Sequence, residues 1–388
     1  MQTPLRILKV LPFFAWRYGG SVEQAKLVCR ELARRGHQVT ILTTDLGETE
    51  AAVGGWSEWQ GCRLFRAAAR PVHRLAPYLP PSGLRRAIAS AVPAADVVCS
   101  NVGLTLLGSH LAATARRHRV PYVYNAEGAL CPVRLRLRRL AKALFVPLFE
   151  RAVLRGAAAL HAVSRKEAGD LEQQGADPAQ VHVIPNGVDV AACRGGDRLA
   201  MRAAWRVPAD ATVVLFLGRL HAVKGLDLLL AAAAELLRTR IELRLVIAGP
   251  DDGAARALRR EAAQLGVAER VLLPGPVPPA RRADALAAAD VFALTSRSEG
   301  QPNAVLEAAA AGLPLWLTTG AALPEVVEFD AGAVDPPDVA VLARSLRSLL
   351  DDANRRRRCG ENARRMVGER FAIESVIGRL EALYRSLR

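Results

Sequence analysis

Wholly apolar runs of three to six residues recur along the chain, and helical stretches lie between many of them. No other feature restricts the fold as much. A strand that is apolar at every position has both faces buried, and parallel sheets clad by helices supply that environment. The first series of strand candidates is 6–11, 39–43, 97–100, 122–124, 160–162 and 181–184. The second is 213–217, 244–248, 271–273, 291–294 and 314–317. Helices are expected at 22–35, 104–118, 135–155, 226–239, 254–264 and 303–311. Two consecutive βα series predict two doubly wound, Rossmann-like α/β domains.

The boundary falls at Ile184-Pro-Asn-Gly-Val-Asp189, where Pro, Asn and Gly stop a strand and make a turn. Residues 191–207 read as irregular and charged, and a new domain opens near 212. The tail, 371–388, places Val376, Leu380 and Leu383 on one face of a final helix. The expected division is 1–187, 188–370 and a terminal helix over 371–388. At 388 residues the chain is long enough for two ordinary domains.

Six scattered cysteines, with no Cys-x-x-Cys pair, argue against a zinc site or a disulfide framework and for reduced, cytoplasmic thiols. No uncharged apolar run reaches the roughly 18 residues of a membrane span, and the N-terminus reads as a first strand rather than a signal peptide. The net charge of +15 is uneven: residues 1–190 hold 25 Lys/Arg against 14 Asp/Glu, and residues 191–388 hold 28 against 24. The basic excess peaks at Arg134-Leu-Arg136-Leu-Arg138-Arg139. Such a face serves nucleic acid, an anionic bilayer or an anionic substrate, or is simply solvated. Aromatic residues are few and no basic-aromatic motif occurs, which excludes nucleic acid as the favoured partner.

The chemistry concentrates in Ser296-Arg-Ser-Glu299-Gly300-Gln301-Pro302-Asn303-Ala304-Val-Leu-Glu307. Glu299 lies in a loop, and Glu307 lies early in a helix that starts near Asn303. The first turn of that helix has N–H groups without internal acceptors, a setting that attracts phosphate. Carboxylates accept hydrogen bonds from sugar hydroxyls, so the segment suits a ligand both anionic and polyhydroxylated, such as a nucleotide sugar. Gly218-Arg219 and Lys224 follow strand 213–217, where open α/β sheets bind ligands. Two cations there can neutralise a diphosphate, with Arg forking onto two oxygens. Gly249-Pro250 and Val277 follow the next two strands and are candidate walls for a base. After the first strand, Gly19-Gly20 opens a helix, so backbone can approach an anion closely. There is no Gly-x-Ser-x-Gly elbow, P-loop, His-Glu-x-x-His or Asp-x-Asp.

In this order the pieces resemble family-four retaining glycosyltransferases of the GT-B fold. The segments are Gly19-Gly20, Arg35-Gly36-His37, Ala162-Val163-Ser164, Ile184–Asp189, Gly218-Arg219 with Lys224-Gly225, and Glu299 through Pro314. The resemblance covers nearly the whole chain. It implies two domains facing across a cleft, the C-terminal one holding a nucleotide sugar and the N-terminal one an acceptor. The last helix would return to the first domain.

By the same resemblance, Glu307 binds the ribose and Glu299 holds the sugar near its reactive carbon. Arg219 and Lys224 hold the diphosphate, aided by N–H groups around Gly20 and Asn303. Transfer proceeds with retention, without metal or other cofactor. Where many relatives carry a histidine before glycine, this chain has Glu127-Gly128. An ionised carboxylate cannot donate a hydrogen bond, so Glu127 is expected to accept from a sugar hydroxyl or from the acceptor nucleophile.

Bacterial relatives often act on lipid-linked acceptors at the cytoplasmic leaflet. Arg134, Arg136, Arg138 and Arg139 then become candidates for anionic headgroups, each worth about 1 kcal/mol near the surface. The expected activity is sugar transfer to a glycan or lipid-linked glycan in polysaccharide biosynthesis. The alternative is a catalytically silent relative that binds a nucleotide sugar or a partner enzyme.

Overall fold

The computed structural model describes residues 3–47, 55–69, 79–101, 103–132 and 145–388. It divides into two compact units, Met1–Gly187 with Ile373–Arg388, and Val188–Ala372.

The N-terminal unit is built on eight strands: β1 (Arg6–Val10), β2 (Gln38–Thr44), β3 (Gly55–Trp59), β4 (Cys62–Ala67), β5 (Val97–Ser100), β6 (Tyr122–Asn125), β7 (Ala159–Ala162) and β8 (Val181–Val183). Their order is β3-β4-β2-β1-β5-β6-β7-β8. All neighbours are parallel except the β3–β4 hairpin. That hairpin escaped the sequence reading because β3 is a largely exposed edge strand with no apolar run. Its turn residues, Gln60 and Gly61, both have positive φ, 50° and 75°, as a two-residue hairpin turn demands.

Side chains alternate across β1. Ile7, with Leu5 and Leu11, packs beneath helices Gly20–Arg34 and Ile373–Ser386, while Leu8 and Val10 join the opposite core with helices Ser82–Ala91 and Leu106–Arg117. The terminal helix buries Val376, Leu380 and Leu383 in the first of these cores. Polar contacts fix it as well. Glu381 accepts from Arg35 Nη1 and His37 Nε2, both at 2.8 Å. His37 Nδ1 accepts from the Leu5 amide at 3.0 Å, which sets the tautomer that donates to Glu381. The Arg35-Gly36-His37 motif is thus an anchor for the C-terminus.

The C-terminal unit carries β9 (Thr212–Leu217), β10 (Leu243–Ala248), β11 (Val271–Gly275), β12 (Val291–Leu294), β13 (Leu315–Thr318) and β14 (Gly332–Asp335). The order is β11-β10-β9-β12-β13-β14, parallel throughout. Phe216, Phe292 and Trp316 are fully buried in one continuous core, and burying an aromatic or aliphatic side chain of this size is worth roughly 1.5–3 kcal/mol.

One expectation needs correction. The 191–207 stretch is not irregular throughout, since it contains helix Arg198–Ala204, capped by Asp197, which accepts from the Ala200 amide at 2.9 Å. Its Arg202 is 1% exposed and holds Asp290 at 2.9 Å together with the Ala209, Ala211 and Ala288 carbonyls. The expected helix 135–155 is described only from residue 145, where a π-helical turn, Val146–Glu150, leads into helix Arg151–Gly156. Arg134, Arg136, Arg138 and Arg139 lie outside the described residues. No described helix is long and apolar enough to cross a membrane.

Candidate active site

Strand order gives the place in each unit where a ligand is expected. In the C-terminal sheet the order reverses beside β9, which has β10 on one side and β12 on the other. A crevice outside the carboxyl ends of such strands is the usual ligand position. The loop after β9 carries Gly218, Arg219 and Lys224, and the loop after β12 carries Glu299.

The two loops are stitched together. The Arg297 amide donates to the Val223 carbonyl at 2.8 Å, and Thr295 Oγ1 donates to the Gly225 carbonyl at 2.8 Å. Gly225 is left-handed, at φ 60°, and a Cβ there would lie 2.1 Å from the Thr295 carbonyl oxygen. Only glycine permits that approach. The stitching brings Lys224 Nζ to 2.7 Å from Glu299 Oε1, which also accepts from Ser296 Oγ at 2.5 Å. The side chains of Lys224 and Glu299 are 18% and 13% exposed. Lys224 has three donors and the carboxylate about four acceptor positions, so each retains capacity for a ligand.

Gly300, Gln301 and Pro302 lead into helix Asn303–Ala311, whose second turn carries Glu307. Both Glu307 oxygens accept from Arg282 Nη1, at 2.7 and 2.6 Å. Sequence reasoning missed Arg282; the Arg-Arg pair preceding that helix pattern gave no indication that it would face Glu307. Asn303 and Ala304 are half-buried at the helix start. Arg219 is not beside Lys224's partner: it pairs with Asp252 at 2.8 Å, and both are about two-fifths exposed. Gly218, Gly249 and Gly275 align along the strand ends. The Gly218 amide donates to Ala248 at 3.0 Å, and the Gly249 amide donates to Gly275 at 2.8 Å. A Cβ on Gly249 would lie 1.7 Å from the Gly218 carbonyl oxygen. Pro250 and Val277 border this row, both half-buried.

In the N-terminal sheet the order reverses beside β1, which lies between β2 and β5. Gly19, at φ 99°, precedes helix Gly20–Arg34. Glu127 follows β6 with φ 44°, a left-handed backbone uncommon outside glycine. Its neighbours hold that turn in place. Asn125 Oδ1 accepts from the Glu127 amide at 3.1 Å. Glu167 accepts from the Gly128 and Val163 amides at 2.5 and 2.7 Å. Asn101 Nδ2 donates to Glu127 Oε1.

Burial pushes the Glu127 carboxyl up to about 8, with Glu167 adding to the rise and Lys9, Asn101 and Ser21 opposing it. The carboxyl is therefore protonated at neutral pH and can donate a hydrogen bond. The acceptor role expected of the ionised form is the one Asn101 meets at Oε1, and the protonated form adds a donor. His161 is buried and pushed down to about 4, chiefly by desolvation. It is neutral, with Nε2 donating to the Ile184 carbonyl at 2.7 Å and Nδ1 facing Asn125 Nδ2 at 3.3 Å.

Lys9 was also missed. It sits on central strand β1 and is 7% exposed. The available signal was a single cation inside an otherwise apolar strand run.

Comparison with known proteins identifies the family. Residues 197–366 match the family "Glycosyl transferases group 1", and residues 19–187 match "Glycosyl transferase 4-like domain". A D-inositol 3-phosphate glycosyltransferase of Xylanimonas cellulosilytica is 32% identical over 385 residues, covering 92% of this chain and 88% of that protein. One from Segniliparus rotundus is 35% identical over 226 residues, covering 57% of this chain and only 50% of its own length. One from Catenulispora acidiphila is 35% identical, covering 61% of this chain and 59% of its own length. Among solved structures, Anabaena HepE in complex with UDP and glucose has a TM-score of 0.81 at 18% identity, covering 98% of this chain and all of that one. WaaG, a glycosyltransferase involved in lipopolysaccharide biosynthesis, has a TM-score of 0.74 at 20% identity, covering 97% and 99%. At those identities the structural likeness speaks for the fold alone. The curated relative aligned over 92% of the chain, together with the two domain matches, shows that this chain belongs to the family-four type of GT-B glycosyltransferases.

Proposed function

We propose that the chain transfers a sugar, with retention and without a metal, from a nucleotide-sugar donor to a glycan or lipid-linked glycan acceptor. The observation that carries this reading is the paired arrangement of Lys224 with Glu299 and of Arg282 with Glu307. Each pair sets a fixed carboxylate beside a cation.

Glu307 is held through both oxygens by a single Arg282 nitrogen, so the remaining lone pairs accept from the two ribose hydroxyls. Glu299 accepts from the donor sugar near its reactive carbon. As the diphosphate departs, Lys224 and the N–H groups at the start of helix Asn303–Ala311 meet the growing charge. Arg219 joins them by exchanging Asp252, since an exposed pair of this kind is worth only about 0–1 kcal/mol. Gly218, Gly249, Pro250 and Val277 border the base. In the N-terminal unit, Gly19 and Gly20 offer backbone to the diphosphate, and protonated Glu127 donates to a hydroxyl of the sugar or the acceptor.

The test is a thermal-shift screen against UDP-, GDP- and ADP-sugars, followed by turnover of the donor that binds. Glu307→Ala should weaken nucleotide binding, and Lys224→Ala should lower turnover about 100-fold or more. Full activity in both variants would overturn the assignment.

A second acceptor class is favoured by one observation. The relative matched over 92% of the chain is a D-inositol 3-phosphate glycosyltransferase. A small phosphorylated polyol is therefore the competing acceptor. Transfer of labelled sugar into an extractable lipid supports the first class, and transfer into inositol 3-phosphate supports the second. Peripheral contact through Arg134, Arg136, Arg138 and Arg139 at the inner face of the cytoplasmic membrane belongs to the first class. It is tested by co-sedimentation with anionic vesicles at low salt.

A further inference from the structure

A small polar cavity of about 20 Å³ lies inside the N-terminal unit, with Lys9, Asn101, Asn125, Glu127, His161 and Tyr384 in its wall. Its volume suits one water-sized group. The cavity interrupts an otherwise apolar layer. Ile7 and Leu11, on the same face of β1 as Lys9, pack among the side chains of helices Gly20–Arg34 and Ile373–Ser386.

A lysine at such a position is costly, because taking an ammonium out of water costs several kcal/mol unless its charge is answered. Among the described residues Lys9 forms no ion pair within 4.0 Å. Its charge instead acts through space on Glu127, and also on Cys29, Cys99 and His161. Of these, Glu127 is the carboxyl. Both side chains line the cavity, and the polar part of its wall supplies the partners that a bridging water needs.

The other groups that act on Glu127 or share its cavity come from several elements. Ser21 stands at the start of helix Gly20–Arg34, and Asn101 follows β5. Glu167 belongs to helix Arg165–Gln173, neutral His161 to β7, and Tyr384 to the terminal helix. Asn101 Nδ2 donates to Glu127 Oε1. Oε1 is therefore an acceptor, and Ser21 also hydrogen-bonds to the carboxyl.

We propose that Lys9 is a positioning residue that acts on substrate only through Glu127, orienting the Glu127 carboxyl across the cavity as a hydrogen-bond donor to a sugar or acceptor hydroxyl. The inference rests on the glycosyl-transfer reading for the hydroxyl that Glu127 meets. The coupling between the two side chains stands apart from that reading. The lysine charge favours the ionised carboxyl, and burial favours the neutral one. Their opposition leaves the carboxyl at about 8, and a hydrogen-bond donor works best when its proton is held near the pH of reaction.

The chain has five lysines, Lys9, Lys26, Lys142, Lys166 and Lys224, so selective isotope labelling of lysine in the full-length protein gives a resolvable spectrum. The Lys9 signal is identified by its loss in Lys9→Arg. It should show an inflection near pH 8 that vanishes in Glu127→Gln. A flat Lys9 signal, or an inflection that persists in Glu127→Gln, overturns the proposal. In the transfer assay, Lys9→Met should move the alkaline limb of kcat/KM up by about one pH unit, whereas Lys9→Arg should leave it near the native position. An unmoved limb in a folded Lys9→Met protein also overturns it. If Lys9→Met does not fold, the comparison of wild type with Glu127→Gln still decides. If no donor is turned over, the proposed function fails while the lysine titration still reports on the pair.

Discussion

Lys224 Nζ lies 2.7 Å from Glu299 Oε1, joining the loop after β9 to the loop after β12 where the order of the C-terminal sheet reverses. Both side chains are mostly buried, so the pair is shielded from salt more than a surface pair would be. A double-mutant cycle with Lys224→Ala and Glu299→Gln should give a coupling of about 1–3 kcal/mol in unfolding free energy. A coupling near zero would show that the loops are held by their backbone contacts alone.

Arg282 should behave as a nucleotide-site residue through Glu307. Replacing it with Met frees the Glu307 carboxylate to rotate, and nucleoside diphosphate binding should weaken about tenfold, or ~1.4 kcal/mol. Because both changes disturb one arrangement, Arg282→Met with Glu307→Gln should be little worse than Glu307→Gln alone. Calorimetric titration of the three variants reads this directly, and additive losses would contradict it.

The Glu127 carboxyl, raised to about 8, makes a signed prediction for stability. Its folded value lies above the unfolded one, so the folded state holds the proton more tightly. That contribution is intact below the unfolded value and is lost as pH rises through about 8. Glu127→Gln, which cannot ionise, should be more stable than wild type at pH 9 by on the order of 1 kcal/mol or more. At pH 4 the two should be close. Urea unfolding at both pH values measures the difference.

His161 has the opposite sign. It is pushed down to about 4 by burial, so its contribution is full above the unfolded value near 6.5 and disappears as pH falls through about 4. His161→Gln should therefore cost more at pH 7 than at pH 4. An equal penalty at both values would mean that the ring is not held neutral.

Arg202 tests the frame that supports the donor loops. It is 1% exposed and tied to Asp290 and several carbonyls. Arg202→Met leaves Asp290 with Arg198 and the Val213 amide but takes the donor from the Ala209, Ala211 and Ala288 carbonyls, and should lower unfolding free energy by about 1–3 kcal/mol. A loss under about 1 kcal/mol would place the pair with weak surface bridges.

The β-strands that carry the candidate site were legible because burial on both faces forces an apolar run, whatever the neighbours are. Val97–Ser100 and Val291–Leu294 have the bounds their runs suggest. The β3–β4 hairpin and helix Arg198–Ala204 were not legible. One is an exposed edge strand, and the other is short and held largely by Arg202. Glu299, Glu307 and Lys224 announced themselves by residue type beside a strand end or a helix start. Their partners did not. That Lys224 pairs with Glu299, Arg282 with Glu307 and Arg219 with Asp252 depends on contacts spanning 25 to 75 positions.

Glu127 shows the division most sharply. Its place after β6 follows from local pattern alone. Its protonation does not, because charge state depends on desolvation and on Lys9, Ser21, Asn101 and Glu167, groups scattered along the chain. Local sequence determined which elements form and where ligand-facing loops begin, since burial pattern and turn chemistry act over a few residues. Tertiary structure alone decided which charges meet and whether a carboxyl donates or accepts, since electrostatics depends on distance in space and on access to water.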